Sequence, residues 1–421
     1  MTANDPQRRV RRLVVIDPVG NYGGSARFIR RLLPALLRVR PELRIVFFVN
    51  RESIRRNQAG QELEAVGVSV NELESLHPPP WKSRPLRFRL AYKVRRRFPS
   101  ASFVSPFDME ANLIREVELA MGRGDLTYFP WPYGLSVPRQ TGALVTTVHD
   151  LNFRYFFGAP IFSLDDTQRF DTRIAEWVTV ARVIASSRFM ADEIARFHPG
   201  APPARVVRLA PFATADEGEP AEANETLAKF RLDRPYLLCP THMTVHKNIG
   251  PLIAAQALLR DRFPALRLVL TGMGTEVATG RATQTGSARG DGQPDVIGLG
   301  YVSNREIDGL IAGASVVVNP SLYEAGNGPG LDAWSRGIPV AMSNIPPFME
   351  HLSASDVGAA VFDPRDPHDI AAKIADILDH ADKWAEVARR SKAALGSYTW
   401  EHVARAYLEV FDAAFTESDG A

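Results

Sequence analysis

Glu324 and Asp332 stand eight positions apart and bracket Gly326-Asn327-Gly328-Pro329, a run of small and turn-forming residues. A glycine-rich loop that leads into a helix offers an anion unpaired backbone N–H groups and the positive end of the helix dipole. Carboxylates grip sugar hydroxyls well, so a phosphate held beside a polyol points to a nucleotide-sugar. Asp332 has a plainer reading too, since acidic residues stabilise the first turn of a helix. Lys247 lies in Thr241-His-Met-Thr-Val-His246-Lys247-Asn248, at a junction where an ammonium can reach a diphosphate as a point charge, or lie solvated at the surface. His242 and His246 are weaker candidates for that place. His149 ends an apolar run and can meet a substrate hydroxyl, although a packed and satisfied ring would read the same. Asp150 beside it reads as a residue that orients the loop. Gly23 and Gly24 follow the first apolar run and let the backbone approach a phosphate. Their spacing departs from the GxGxxG fingerprint, which disfavours a nicotinamide or flavin cofactor.

These residues need strands that end where they begin. Apolar runs over 13–16, 45–49, 66–70, 126–129, 144–148, 183–185 and 206–209 alternate with helical patterns over 25–39, 62–65, 170–180 and 188–197. Residues 211–224 are acidic, apolar-poor and Pro/Gly-containing, which reads as a linker. A second alternation follows, with strands over 236–239, 266–270, 296–299, 315–318, 338–342 and 360–362 and helices that include 249–259, about 330–335 and 367–380. Residues 275–293 show no core pattern and read as a loop, and 400–415 as an amphipathic helix. Repeated βα units without hairpin signals predict an α/β fold of two Rossmann-like, doubly wound domains facing across a cleft. The divisions fall at 1–212, 213–398 and 399–421. Ligands in such sheets lie beyond the carboxyl ends of the strands, where each candidate residue falls.

The chain has 421 residues, enough for two cores, and its 45% hydrophobic and 23% charged content is that of a globular protein. No apolar run reaches membrane-spanning length, the first is too short for a signal peptide, and a single cysteine suits a cytosolic address. Residues 1–212 carry 32 Lys+Arg against 20 Asp+Glu, whereas the remainder carries 18 against 28. Eight basic and no acidic residues fall between Trp81 and Arg97, interleaved with aromatics. That segment fits either a solvated face or peripheral contact with an anionic membrane or an acceptor's phosphate. No nucleic-acid motif accompanies it, so a nucleic-acid partner is not expected. No metal-ligand cluster is visible either.

The ordered set Gly23-Gly24, Val148-His149-Asp150-Leu151, Ala185-Ser-Ser-Arg-Phe189, His246-Lys247-Asn248, Leu299-Gly-Tyr301-Val302-Ser303, Pro320-Ser-Leu-Tyr-Glu324 and Gly337-Ile-Pro-Val340 spans nearly the whole chain. It resembles the GT-B glycosyltransferases of the large retaining family 4, the group 1 type, which use GDP- or UDP-sugars. The resemblance implies that Glu324 contacts the donor sugar and Asp332 the ribose, with Lys247 and backbone groups of Gly326, Asn327 and Gly328 on the diphosphate. It also implies that His149 lines the transferred sugar, Gly24 lies near the phosphate, and Tyr301 to Ser303 flank the nucleobase. It implies metal-independent transfer through an oxocarbenium-like transition state, with the last helix crossing back to the first domain. The expected reaction moves a hexose, with mannose from GDP-mannose slightly favoured, to a glycan or lipid-linked acceptor at the inner face of the membrane. A nucleotide-sugar epimerase or phosphorylase on the same fold, or a non-catalytic nucleotide-sugar-binding protein, are the alternatives. The chain departs from the family in having Asp332 for Glu, His246 for the Arg before the lysine, Thr241 for a frequent basic residue, and an unusual Ala325-Gly-Asn-Gly loop.

Overall fold

The computed structural model describes residues 9–18, 24–50, 59–74, 109–132, 135–139, 142–156, 164–212, 220–278 and 295–418. Gly23, the basic segment 81–97 and most of the loop 275–293 lie outside these residues. The first half runs β1 (Arg12–Asp17), α1 (Gly24–Val39), β2 (Arg44–Val49), α2 (Ala59–Ala65), β3 (Ser69–Glu72), α3 (Met109–Met121), β4 (Leu126–Phe129), β5 (Ala143–Val148), α4 (Leu164–Val180), β6 (Arg182–Ala185), α5 (Arg188–Phe197) and β7 (Arg205–Val206). The second half runs α6 (Pro220–Phe230), β8 (Tyr236–Pro240), α7 (Ile249–Leu259), β9 (Arg267–Thr271), β10 (Val296–Gly298), α8 (Asn304–Gly313), β11 (Val316–Asn319), α9 (Gly328–Arg336), β12 (Val340–Ser343), α10 (Pro346–Ser355), β13 (Ala360–Phe362), α11 (Pro367–Asp379) and α12 (Ala381–Leu395). A last helix, α13 (Trp400–Ser418), closes the chain.

Among the described residues the strands form two wholly parallel sheets, ordered β3-β2-β1-β4-β5-β6-β7 and β10-β9-β8-β11-β12-β13. β1, β5, β8, β9, β11 and β12 are almost wholly buried, which is why they read as continuous apolar, β-branched runs. In each sheet the strand order reverses once, between β1 and β4 and between β8 and β11. Such switch points open a crevice at the carboxyl ends of the strands. The last helix packs on α1, β4 and β5, and its Trp400, Val403, Tyr407 and Phe411 join the first sheet's core. A buried hydroxyl chain, Tyr128 to Thr147 (2.7 Å) and Thr147 to Tyr407 (3.1 Å), satisfies the polar groups on that interface.

Several elements differ from the sequence reading. The segment read as a linker over 211–224 already contains the start of α6 at Pro220, whose ring suits a first helical turn. The strand expected over 66–70 begins at Ser69, because Gly67 turns the chain with φ +95°. The helix carrying Asp332 begins earlier than expected, at Gly328, so Asp332 sits in its second turn and a dipole argument does not account for it.

Candidate functional site

Lys247 and Glu324 come from the two strands that flank the second sheet's switch point, β8 and β11. Their side chains form an ion pair, 16% and 18% exposed respectively. Lys247 ends a 3₁₀ turn over Val245–Lys247, followed by Asn248 in the left-handed region at φ 55°. Asn tolerates that conformation, and its amide repays it by donating to the carbonyls of Pro320 (3.0 Å) and Pro364 (2.6 Å). The Leu322 N–H donates to the His246 carbonyl at 2.7 Å, so the lysine turn and the Glu324 loop are stitched into one unit. Thr241 opens this stretch, and Gly272 at φ +118° lets the neighbouring chain pass. A Cβ there would lie 1.6 Å from the Thr241 carbonyl oxygen.

Burial pushes the Glu324 carboxyl up, but the charge and hydrogen bond of Lys247, the Ser321 hydroxyl and His246 outweigh it and hold the group below the ordinary glutamate range. Ser321 Oγ donates to Glu324 at 2.7 Å and also meets Asn319 Oδ1 at 2.8 Å. The Asn319 amide donates to Asn327 Oδ1 at 3.2 Å, and that same oxygen caps α9 by accepting from the Gly330 N–H at 3.1 Å. Asn327 is fully buried, so its side chain supports the glycine loop from within. Gly330 is required there, since a Cβ would come within 2.2 Å of the Asn327 amide. Gly328 and Gly326 pack against Phe212 and Leu209 at the end of the first domain.

The first sheet contributes His149, which follows β5, and Trp131, which follows β4. Their rings stack with centroids 3.8 Å apart and planes 16° off parallel, and Phe28 of α1 meets the imidazole edge-on at 5.1 Å. Burial drives the imidazole down to about 3, slightly opposed by a hydrogen bond to the Pro130 carbonyl. The ring is therefore neutral, with one nitrogen bonded to Pro130 and Nε2 buried without a partner. His242 and His246 are held down to about 4, by burial first and Lys247 second. His246 is thus uncharged at neutral pH and cannot stand in for an arginine. Asp150 accepts from the Asn152 N–H at 3.3 Å, the loop-orienting bond expected of it. Burial, with Glu324 adding to it, raises its carboxyl to about 6.

Contacts between the two halves surround this cluster. The Leu151 N–H donates to the Tyr323 hydroxyl at 3.1 Å, and Tyr323 packs among Tyr155, Phe189 and Met190 of the first domain. Phe156 lies 5.7 Å from His246 between centroids. The first N–H groups of α5, on Arg188 and Phe189, donate to the Glu350 carboxylate of the second domain at 2.8 and 3.2 Å, a favourable place for an anion.

Asp332 lies elsewhere than expected. Its carboxylate is fully buried, with Oδ2 bonded to Arg27 at 2.6 Å and Oδ1 accepting from the Phe212 N–H at 2.7 Å. Tyr301, by contrast, is 54% exposed, while Val302 packs against the second core. Gly24 begins α1 with open space beside it. The structure therefore gathers Lys247, Glu324, His246, Thr241 and the glycine loop on one side and His149 on the other, and it withdraws the Asn327 and Asp332 side chains from the surface. Sequence reasoning missed Arg27, Ser321 and Trp131. The first two have no local signal, and Trp131 had only its position just after a strand. Among the described residues no group of His, Cys, Asp and Glu side chains could hold a metal ion.

Two parallel doubly wound sheets with their switch points facing one cleft define the GT-B architecture, and solved glycosyltransferases share it. The Anabaena protein HepE in complex with UDP and glucose superposes with a TM-score of 0.67 at 16% identity, covering 96% of this chain and 100% of that one. WaaG, a glycosyltransferase involved in lipopolysaccharide biosynthesis, gives 0.64 at 11% identity over 95% and 99%. The family profile "Glycosyl transferases group 1" matches residues 234–380. The O-antigen chain mannosyltransferase B of Escherichia coli is 31% identical over 279 residues, which are 63% of this chain and 69% of that protein. An uncharacterised glycosyltransferase of Methanocaldococcus jannaschii is 28% identical over 43% of this chain and 46% of its own length. The chain belongs to the glycosyl transferases group 1 family and is a glycosyltransferase.

Proposed function

We propose that this protein is a retaining hexosyltransferase that moves mannose from GDP-mannose to a hydroxyl of a glycan or lipid-linked oligosaccharide in cell-surface polysaccharide synthesis. The observation that carries the donor site is the part-buried Lys247–Glu324 pair at the second sheet's switch point, beside the start of α9. Lys247 and the backbone of Gly326 to Gly328 would meet the diphosphate, where their charge and dipoles favour its departure without a metal. Glu324, kept ionised, would accept from the hydroxyls of the transferred sugar, and neutral His149 would line that sugar from the first domain. Tyr301 would face the nucleobase. The choice of mannose is supported by the similarity to the O-antigen mannosyltransferase. No helix among the described residues is long and apolar enough to cross a membrane. In this reading the basic segment 81–97 holds the protein at the inner face of the membrane, near a lipid-linked acceptor.

Purified protein should release GDP from GDP-mannose in the presence of acceptor, and Glu324→Ala should abolish transfer while the variant stays folded. Near-normal turnover in Glu324→Ala would sink the site assignment, and preference for a UDP-sugar would sink the donor. Turnover of the donor without any acceptor would favour an epimerase instead.

A further inference from the structure

We propose that Arg27 is a positioning residue for sugar transfer, and that Asp332 serves as the carboxylate it clamps instead of as a nucleotide ligand. The proposal rests on the donor-site reading above. Arg27 lies in the first turn of α1, the helix that begins at Gly24, and Asp332 lies in α9, whose start carries the glycine loop of the second domain. Their 2.6 Å bond therefore fixes the two helix starts relative to one another across 305 residues of sequence. The Arg27 guanidinium also lies over the Phe212 ring at 5.1 Å and within 3.4 Å of Asp308, which in turn pairs with Arg336 at 3.5 Å.

Phe212 makes the clamp two-sided. Its N–H donates to Asp332 of the second domain, while its carbonyl accepts from Arg31 Nε of the first at 2.6 Å. Phe212 is also the last described residue before the chain passes into the second domain. Both Asp332 oxygens thus face first-domain donors and the carboxylate is fully buried, so a ribose hydroxyl could reach it only if the groups around it moved apart. Breaking one partner of a buried charged pair is strongly unfavourable, so the carboxylate holds the closed arrangement in preference to changing partners. The clamp also holds Arg27 over Phe212, the ring against which Gly328 packs.

The test uses the full chain with Arg27→Gln, Asp332→Asn, the double variant and Arg27→Lys, measuring GDP and UDP affinity by calorimetry, transfer kinetics, and the radius of gyration by X-ray scattering. Each single variant should lower kcat by about tenfold or more, and the double should be no worse than the poorer single, because one interaction is lost in all three. GDP affinity should stay within about threefold of wild type, and Arg27→Lys should recover part of kcat. Asp332→Asn losing about tenfold or more in GDP affinity while Arg27→Gln keeps it would make Asp332 a nucleotide ligand and overturn the proposal. Unchanged kcat in Arg27→Gln would overturn it as well. If wild type bound neither GDP nor UDP, the donor reading would fail. Scattering would then judge the clamp alone, with expansion in both single variants supporting it and none refuting it.

Discussion

Replacing Lys247 by Met removes the partner of a carboxylate that stays part-buried. Glu324 is 18% exposed and, among the described residues, would keep only the Ser321 hydroxyl at 2.7 Å as a donor. A surface pair would contribute roughly 0–1 kcal/mol, whereas leaving a buried charge unpaired costs about 3–5 kcal/mol. At 16% and 18% exposure the pair is part-buried, so the expected cost lies between the two, about 1–3 kcal/mol. In wild type the Glu324 carboxyl is held below its ordinary value, so the stability it contributes is present above pH ~4.5 and is lost as the pH falls through its folded value. In Lys247→Met burial acts with little opposition, the carboxyl rises above ~4.5, and acidification relieves the penalty by neutralising it. Urea unfolding followed by tryptophan fluorescence at pH 7.5 and pH 4.5 reads both effects. The gap between variant and wild type should be widest at pH 7.5, shrink at pH 4.5, and largely close when Glu324→Gln is added. A gap below about 1 kcal/mol, or one equal at both pH values, would refute the reasoning.

Asn327→Ala should destabilise by about 2–3 kcal/mol, because it removes the α9 cap and leaves the buried Asn319 amide without its acceptor. Faster amide exchange over residues 328–331 should accompany the loss, and a urea difference under about 0.5 kcal/mol would exclude the capping account. The neutral rings of His149, His242 and His246 have folded values near 3, 4 and 4, below their ordinary 6.5. The stability they permit is complete above 6.5 and declines as the pH drops, by about 2 kcal/mol for His149 at pH 5. Asp150, raised to about 6, acts in the opposite sense and returns about 1 kcal/mol over the same range. The melting temperature should therefore fall between pH 7.5 and pH 5, and a flat profile would count against buried neutral histidines.

Much of this architecture was legible because parallel strands buried on both faces leave an unmistakable apolar, β-branched signature. The helices Arg188–Phe197 and Ile249–Leu259 lie where their patterns put them. Helix Met109–Met121 escaped the reading although Ser105-Pro106 and Asp108 before it and Gly122-Arg-Gly124 after it are turn and cap signals. Glu324 and Lys247 stood out because a carboxylate and an ammonium just past strands lack an easy structural excuse. Asp332 looked equivalent, yet its partners Arg27 and Phe212 are 305 and 120 residues distant, and no local pattern encodes such a pairing. Trp131 and His149 likewise meet only because β4 and β5 are neighbours. Spacing identifies which residues end strands, but only the assembled sheets decide which of them face each other.

The return of the last helix to the first domain means that the chain passes between the halves twice, once after Phe212 and again before Trp400. The two passages lie side by side: Tyr398 donates to the Arg208 carbonyl at 2.9 Å and Trp400 to the Pro211 carbonyl at 2.7 Å. A single tether would let one half swivel freely about it. Two strands stapled together behave like a strap hinge, which bends about one line and resists torsion. Any relative motion of the halves would then follow one arc and return the Lys247 turn and His149 to the same mutual alignment.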